Sequence, residues 1–350
     1  MLTVLSVAYP LAPVSPDAVG GSEQVLSALD RALVEAGHRS IVVACEGSRV
    51  AGMLLPIPAV PPGQPIDDAV HMRRRAAAWD AMVAAVAAER VDVIHMHGFD
   101  FYQYLPPPGP PLLATLHLPP SWYPDWAIKL VRADSWVNCV SDSQMRAADH
   151  SPRMLSPIPN GVPVAQLGGL HPRRCNYALM LARICPEKGL HLALDAAHAA
   201  GSPLLIAGEV FPYPSHQEYF TSQILPRLDR LRRYVGPVGF IRKRRLLAAA
   251  RCLLVPSLVA ETSSLVAMEA ASCGTPVIAF RNGALPEVVE HGRTGYLVKD
   301  THAMADAIGR VDAINPQDCR DTAQRRFSLE RMVAAYLDRY QMLARRQAAA

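Results

Sequence analysis

Short apolar runs alternate with amphipathic stretches along nearly the whole chain. In the first half, four runs of four to nine residues have the length and the apolar content of buried strands. They are LTVLSVAYP (2–10), RSIVVACEG (39–47), VDVIHMH (91–97) and LLATLHLPP (112–120). Between the first two lies VGGSEQVLSALDRALVEAGH (19–38), whose apolar positions recur at helical spacing. Strand and helix therefore alternate, which predicts a doubly wound sheet.

The second half repeats this alternation. Its predicted strands are YALMLARI (177–184), LLIAG (204–208), LLVP (253–256), TPVIAF (275–280) and GYLV (295–298). FSLERMVAAYLDRYQML (327–343) has the pattern of a long amphipathic helix. We predict an N-terminal Rossmann-like domain at 1–166, a second one at 167–327 after a linker containing Gly-Gly, and a C-terminal helix at 328–350.

Composition is that of a globular protein large enough for two cores. The chain has 350 residues, of which 50% are hydrophobic and 19% charged. Its net charge of +4 is too small and its basic residues too dispersed to indicate nucleic-acid binding. The seven cysteines form no Cys-x-x-Cys pair, so we expect buried free thiols in a reducing compartment.

No apolar run reaches the length of a membrane span, and we expect a cytoplasmic protein. One segment leaves peripheral membrane contact open. HMRRRAAAWDAMVAAVAAER (71–90) joins three arginines to an alanine-rich helix that carries Trp79 and Met82. A helix that simply covers the sheet is the favoured interpretation.

The candidate chemistry concentrates around Glu261. LLVP (253–256) predicts a buried strand, and SSLVAMEAASCG (263–274) predicts a helix that ends near its glycine. Glu261 then lies in the loop at the carboxyl end of a strand. In open parallel sheets, ligands bind at that edge.

The start of this predicted helix suits a phosphate group. The backbone N–H groups at Ser263, Ser264 and Leu265 have no partner within the helix and carry partial positive charge. Glu269, one to two turns further on, can accept hydrogen bonds from sugar hydroxyls. Both acids together suggest a sugar nucleotide, although on the pair alone two solvated surface acids are the simpler explanation.

Two cations follow the first predicted strand of the second half. Arg183 ends that strand and Lys188 precedes a helix, so both can approach one anion, and Gly189 permits close backbone approach. Gly208 faces the same edge from the next strand. For each cation alone, solvated surface charge is the alternative.

The first half offers a glycine pair and a histidine at the corresponding edge. Gly20 and Gly21 stand at a helix entrance, where an anion can approach the backbone, although such a pair is often only a turn. His117 ends a predicted strand, and a near-neutral pKa would let it donate or accept a hydrogen bond. His95 and His97 lie on one strand face. A metal site needs more ligands than these two, and no cluster of acids or cysteines supplies them, so we predict no metal site.

These segments resemble the family 4 retaining glycosyltransferases. Glu261 and Glu269 match the family's Glu-x7-Glu signature, and the G-T-P-V-I-A and G-x-x-P-E-V-V segments follow it. Arg183 and Lys188 match its R-x4-K-G motif. The T-L-H-x-P, V-S-D-S and I-P-N-G-V segments of the first half are also similar. Ser264 departs from the family, which usually has glycine there: the serine N–H can still donate to a phosphate, but glycine permits a closer approach.

The resemblance implies a GT-B fold, with two Rossmann-like domains facing across a cleft and the C-terminal helix crossing back to the first domain. It implies that Glu261 contacts the donor sugar, that the amides after it hold the diphosphate with Arg183 and Lys188, and that Glu269 binds the ribose. His117 would lie beside the donor sugar. The glycine pair would face the donor phosphate or the acceptor, and His97 would lie at the cleft.

The implied activity is retaining transfer from a nucleotide-diphosphate sugar, without metal or other cofactor. The acceptor, whether a small molecule, a glycan or a lipid-linked sugar, stays open, as do the base, the sugar and the oligomeric state. A nucleotide-sugar epimerase and a non-catalytic sugar-nucleotide binder are the alternatives on this architecture. A dehydrogenase is disfavoured, because neither half has G-x-G-x-x-G after its first strand.

Overall fold

The computed structural model describes residues 1–61, 64, 66–149, 151–170 and 172–349. These residues form two compact units, Met1–Pro159 with Met332–Ala350, and Asn160–Arg331. Residues 160–166, assigned from sequence to the first half, pack in the second unit. From sequence, the proline-rich segment 56–65 is a predicted connection and QLGGLHPRR (166–174) is the predicted linker. Both lie partly outside the described residues.

The first unit contains one sheet of seven parallel strands in the order β3-β2-β1-β4-β5-β6-β7. The strands are β1 (Thr3–Val7), β2 (Arg39–Cys45), β3 (Met53–Ile57), β4 (Val93–Met96), β5 (Leu112–Thr115), β6 (Ser135–Asn138) and β7 (Met154–Leu155). Four of these seven strands, β1, β2, β4 and β5, match the predicted apolar runs, whereas β3 matches none of them. The strand order reverses between β1 and β4, which makes that point the ligand-binding edge of such a sheet.

Four helices of this unit accompany the strands. They are α1 (Gly21–Glu35), α2 (Asp68–Ala88), α3 (Asp125–Ile128) and α4 (Asp142–Ala147). Helix α2 begins where the Asp67 side chain accepts a hydrogen bond from the Val70 N–H at 2.8 Å. Ala78 and Met82 are fully buried in the core of this unit. The arginine-led helix therefore covers the sheet, as the favoured interpretation expected.

The arginines of α2 are largely used by the protein itself. Arg74 donates to the carbonyl oxygens of Pro58 and Ala59. Arg75 pairs with Asp100 at 2.8 Å. Among the described residues, no helix is both long and apolar enough to cross a bilayer.

The second unit contains a six-stranded parallel sheet in the order β10-β9-β8-β11-β12-β13. The strands are β8 (Ala178–Leu181), β9 (Leu204–Ala207), β10 (Arg232–Tyr234), β11 (Cys252–Val255), β12 (Val277–Phe280) and β13 (Gly295–Val298). Strand β10 was not predicted, because three residues with two arginines carry little apolar signal. The order reverses between β8 and β11, so the segments that follow these two neighbours meet at one edge.

Eight helices belong to this unit. They are α5 (Val164–Gly168), α6 (Leu190–Ala199), α7 (Pro214–Tyr219), α8 (Phe240–Ala249), α9 (Leu265–Ser272), α10 (Leu285–Val288), α11 (Thr301–Arg310) and α12 (Pro316–Arg326). The segment EVFPYPSHQEYF (209–220) predicts an irregular connection, but it contains α7, which continues as a π-helical turn over Phe220–Ile224. As predicted, α9 ends just before Gly274, which has the left-handed φ of 78°.

The last helix, α13 (Leu329–Ala349), leaves the second unit and from Met332 onward packs in the first. Tyr336 and Tyr340 on this helix are fully buried. Six of the seven cysteines are also buried and all seven are free thiols. Cys175 is the exception to the expected burial, because it is exposed.

Candidate active site

The two strands at the order reversal of the second sheet bring Lys188 and Glu261 into contact. Lys188 lies in the turn after β8, and Glu261 in the loop after β11. Lys188 Nζ lies 2.6 Å from Glu261 Oε1, and the Ser257 hydroxyl donates to the same oxygen at 2.6 Å. The two charged side chains are only 25% and 10% exposed. Sheet topology thus joins an acid and a base that are far apart in sequence.

The loop that carries Glu261 is supported by the segment after β12. The Ala284 N–H donates to the Glu261 carbonyl at 2.7 Å, and the Asn282 side chain donates to the Ser257 carbonyl at 3.3 Å. Gly283 has a φ of 56°, and a Cβ at this position would lie 2.3 Å from the Glu261 carbonyl oxygen. The N-G-A part of the run behind Glu261 therefore acts as a backbone support for the acid.

The N-terminus of α9 retains the donors that sequence predicted. Ser264 is the N-cap residue and its side chain makes no capping hydrogen bond. The first N–H groups of the helix, beginning at Leu265, have no partner within the helix. The Ser263 hydroxyl is buried and, among the described residues, has no hydrogen-bond partner. An anion bound here would meet backbone N–H groups and the positive end of the helix.

Glu269 is held by a lysine that sequence analysis did not single out. Lys243 Nζ lies 2.5 Å from Glu269 Oε1, and the two side chains are 17% and 5% exposed. The charged run Arg242 to Arg245 predicts a solvated helix start. That prediction is wrong for Lys243, which is largely buried against Glu269. The signal was weak, because one lysine among three arginines at a helix start looks like ordinary surface charge.

Arg183 lies two residues beyond β8, beside a small polar cluster. Burial raises the pKa of the Cys185 thiol to about 11, while the nearby charges of Arg183 and Lys188 act to lower it. Arg183 and Lys188 are the two cations predicted to hold the diphosphate, and together they are called the clamp. Both thus lie close to the Cys185 side chain. Gly208 lies directly after β9, and its N–H already donates to the Gly236 carbonyl at 3.1 Å.

In the first unit, the glycine pair begins α1 as predicted. A Cβ on Gly20 would lie 1.8 Å from a carboxylate oxygen of Glu23, which is itself 6% exposed. The absence of a side chain at Gly20 thus leaves room for an acid of the same helix turn. Room for Glu23 is thus a structural reason for glycine at position 20. The approach of a ligand to Gly20 and Gly21 stays a separate prediction.

His117 follows β5 by two residues and lies against His97. The rings stack with centroids 5.5 Å apart, and His97 Nδ1 lies 3.2 Å from His117 Nε2. Burial lowers the pKa of His117 to about 4, well below the near-neutral value expected from sequence. At pH 7 the ring is therefore neutral, and it can act as a hydrogen-bonding group but carries no charge.

Tyr123 fixes the backbone on either side of this histidine. Its buried hydroxyl accepts hydrogen bonds from the N–H groups of His117 at 3.2 Å and Leu118 at 3.3 Å. Trp122 and Trp126 are 47% and 57% exposed. From sequence alone, each of these aromatic residues and Tyr123 could either stack on a sugar or fill the core. Of the three aromatic residues, Tyr123 is the one built into the core.

His95 belongs to a buried network rather than to a ligand site. Its Nδ1 lies 2.7 Å from the Tyr340 hydroxyl and its Nε2 lies 2.8 Å from the Thr115 hydroxyl. The Thr115 hydroxyl in turn donates to Asn138 at 2.9 Å. The His95 and His97 rings lie 3.8 Å apart, which confirms that they share a strand face.

The chain matches two family models that together span most of its length. The model of glycosyltransferase family 4 matches residues 19–166, and that of glycosyl transferases group 1 matches residues 175–312. The D-inositol 3-phosphate glycosyltransferase of Saccharomonospora viridis is 40% identical over 122 residues, 32% of this chain and 28% of that protein. The phosphatidyl-myo-inositol mannosyltransferase of Mycobacterium leprae is 32% identical over 165 residues, 43% of this chain and 42% of that protein. The chain thus covers less than two thirds of either relative.

Solved structures of glycosyltransferases share the fold. The sucrose-phosphate synthase of Thermosynechococcus elongatus superimposes with a TM-score of 0.78 and 21% identity, covering 99% of this chain and 100% of that chain. At this identity the likeness shows the fold alone. The predicted GT-B class, with two doubly wound Rossmann-like domains, is confirmed. Since both halves match models of one group of enzymes, the chain belongs to the family 4 glycosyltransferases.

Proposed function

We propose that the protein transfers a sugar from a nucleotide-diphosphate sugar to an acceptor with retention of anomeric configuration. The observation that carries the proposal is the Lys188–Glu261 pair at the order reversal of the second sheet, 2.6 Å apart and beside the free N-terminus of α9. An acid for sugar hydroxyls, a cation and backbone donors for phosphate thus occupy one edge.

In the proposed reaction, the departing diphosphate is stabilised by Arg183, Lys188 and the N–H groups near Ser264. These groups act on charge that develops as the bond to the sugar breaks, and no metal ion is required for it. Glu261 orients the donor sugar, and Glu269 binds the ribose. His117 acts as a neutral hydrogen-bonding group on the sugar or the acceptor. We assign no covalent nucleophile.

The clamp is tested by Lys188→Ala and Arg183→Ala. Loss of one charge-assisted contact should cost roughly 2 to 3 kcal/mol, or about 30- to 150-fold in kcat/KM. Lys299→Ala is the matched control, because Lys299 is 86% exposed, and it should retain full activity. Arg183→Lys should recover only part of the loss, since a point charge cannot reproduce a planar fork on phosphate.

The chemistry is followed by product analysis after a screen for the donor. Thermal-shift measurements with UDP, GDP, ADP and TDP sugars identify the donor, because a bound ligand stabilises the fold. Inositol phosphates and phosphatidylinositol are the first acceptors to test, as the two relatives act on such compounds by name. Transfer should persist in EDTA. Loss of activity on chelation with recovery in Mg²⁺ would refute the clamp, and epimerised donor without transfer would favour the epimerase.

A further inference from the structure

Outside the Lys188–Glu261 pair, the second unit brings together a thiol, a carboxylate and an imidazole. Cys185 and Glu187 come from the turn after β8, and His216 comes from α7. One potential ligand atom of each lies within 4.8 Å of those of the other two. Over the described ranges this is the only group of three such side chains at that spacing. Cys185 and His216 are buried.

The imidazole of His216 has an unused nitrogen. The residue is 8% exposed, and its Nδ1 has no hydrogen-bond partner within the part of the chain that the structure describes. The edges of Tyr213 and Phe211 pack against the ring, with centroids 5.2 Å and 6.3 Å away. Burial of a polar atom without a partner is unfavourable, so a ring held in this way calls for a partner.

We propose that Cys185, Glu187 and His216 bind one Zn²⁺ ion. A thiolate, an imidazole nitrogen and a carboxylate oxygen are the ligand types that zinc takes in proteins, whereas Mg²⁺ and Ca²⁺ select oxygen ligands. Three protein ligands leave a fourth position for water. In tetrahedral coordination the three ligand atoms stand roughly 3.3 to 3.7 Å apart, so a pair at the 4.8 Å limit must close by about 1 Å.

Two cations act on the Cys185 thiol, Arg183 and Lys188, and both repel a metal ion. A thiolate and a carboxylate together neutralise Zn²⁺, so the occupied site adds no net positive charge beside them. Burial raises the pKa of Cys185, so at neutral pH it is a thiol, and its S–H donates to the Arg183 carbonyl oxygen at 3.7 Å. On binding, the S–H bond breaks, the Zn–S bond forms and the proton passes to solvent. Affinity therefore rises with pH.

The position of the cluster gives the ion a supporting role. Glu187 immediately precedes Lys188, and the Glu187 carbonyl accepts from the Leu258 N–H at 2.8 Å, in the loop after β11. An ion at this point ties α7 to the turn that carries Lys188. Arg183 and Lys188 keep their proposed role in sugar transfer. The zinc proposal does not depend on that role and is tested separately.

Titration of the chelator-treated full-length protein with Co²⁺ and Zn²⁺ tests the site. We expect one equivalent to bind, and Co²⁺ to give a thiolate-to-cobalt charge-transfer band in the near ultraviolet. Cys185→Ser should abolish the band, and His216→Gln should weaken binding at least about 10-fold. Cys175→Ser is the matched control, because Cys175 is exposed and outside the cluster, and it should keep both the band and the affinity.

A measurement on the unaltered protein covers the case in which a variant does not fold. X-ray absorption at the zinc edge should show one sulfur neighbour at about 2.3 Å with nitrogen and oxygen ligands at about 2.0 to 2.2 Å. Apparent Zn²⁺ affinity should rise between pH 6.5 and 8, with net proton release. Absence of stoichiometric binding, a shell without sulfur, or a band that survives Cys185→Ser would overturn the proposal.

Discussion

At the residue scale, the two acids of the Glu-x7-Glu motif differ in their partners. Glu261 pairs with Lys188 and accepts from Ser257, whereas Glu269 pairs with Lys243. Each carboxylate is thus held by a different lysine in a different part of the unit. The proposed roles of sugar orientation and ribose binding can therefore be separated by mutation.

Glu269→Ala should weaken binding of the free nucleoside diphosphate by about 10-fold or more, because a hydrogen bond to a charged group contributes about 1.5 to 3 kcal/mol. Glu261→Ala should leave that binding nearly unchanged and reduce kcat/KM for the complete sugar donor. Isothermal titration with the diphosphate and kinetics with the donor measure the two effects. Equal loss of nucleotide affinity in both variants would contradict the assignment.

His117 supports a second prediction at this scale. His117→Ala should lower turnover by roughly 10²-fold with little change in nucleotide affinity. Because the ring is neutral at pH 7, His117→Gln, which keeps hydrogen-bonding atoms, should retain more activity than the alanine variant. Steady-state kinetics with circular dichroism as a folding control distinguish these outcomes. A folded alanine variant with normal turnover would remove His117 from the mechanism.

At the scale of elements, α13 completes the core of the first unit through two tyrosines. The Tyr340 hydroxyl contacts His95, and the Tyr336 hydroxyl lies 3.2 Å from that of Thr115. Both tyrosines and both partners are fully buried. The attachment of this helix thus depends on polar contacts as well as apolar area.

Tyr340→Phe should lower the free energy of unfolding by about 1 to 3 kcal/mol, because it leaves a nitrogen of His95 buried without a partner. Urea denaturation followed by circular dichroism measures the change. Tyr102→Phe is the control, because among the described residues the Tyr102 hydroxyl accepts one exposed hydrogen bond, at 3.5 Å. This substitution should change the free energy of unfolding by close to zero. Equal stability of the two variants would show that the His95–Tyr340 contact contributes nothing.

Long apolar strands and amphipathic helices could be predicted from the sequence, and shorter polar ones could not. Strands β1, β2, β4 and β5 follow from apolar runs, because burial on both faces leaves few polar positions. Strand β10 and helix α12 (Pro316–Arg326) are dominated by charged or polar side chains, so periodicity does not reveal them. Their places are set by contacts with the rest of the unit.

The candidate site shows the same division. The acids, the clamp cations and the helix start near Ser264 could be named, because each belongs to a local motif. The partners of these residues could not. Lys243 reaches Glu269, and His216 reaches Cys185, only through the packing of separate elements. Neither the Lys243–Glu269 contact nor the His216–Cys185 contact follows from the spacing of residues along the chain.

At the scale of the whole molecule, three neighbouring histidines, of which His95 and His97 are buried and His117 is half-buried, make the fold sensitive to acid. Burial lowers the pKa of His95 and His97 well below the usual value, and that of His117 to about 4. In the unfolded chain these rings titrate near pH 6.5. Below that pH the unfolded state binds more protons than the folded state, so stability falls as pH decreases from about 6.5 towards 4.

Each histidine should contribute a slope of about 1.4 kcal/mol per pH unit within that window. Urea midpoints measured at pH 7.5, 6.5 and 5.5 test this expectation. His117→Gln should reduce the slope, whereas His302→Gln should not, because His302 is 88% exposed. A midpoint that does not change between pH 7.5 and 5.5 would contradict burial of neutral rings.

The return of α13 to the first unit also governs the order of events during synthesis. Residues 1–159 leave the ribosome first, but Tyr336 and Tyr340 are made only after the whole of Asn160–Arg331. At about 5 to 20 residues per second, this interval lasts on the order of 10 to 30 seconds. During this interval, His95 in the nascent first half lacks its partner Tyr340, and the surface that α13 covers stays exposed. The second unit is continuous in the chain and can fold in that interval. The first unit, although most of it is synthesised earlier, therefore completes its fold after the second.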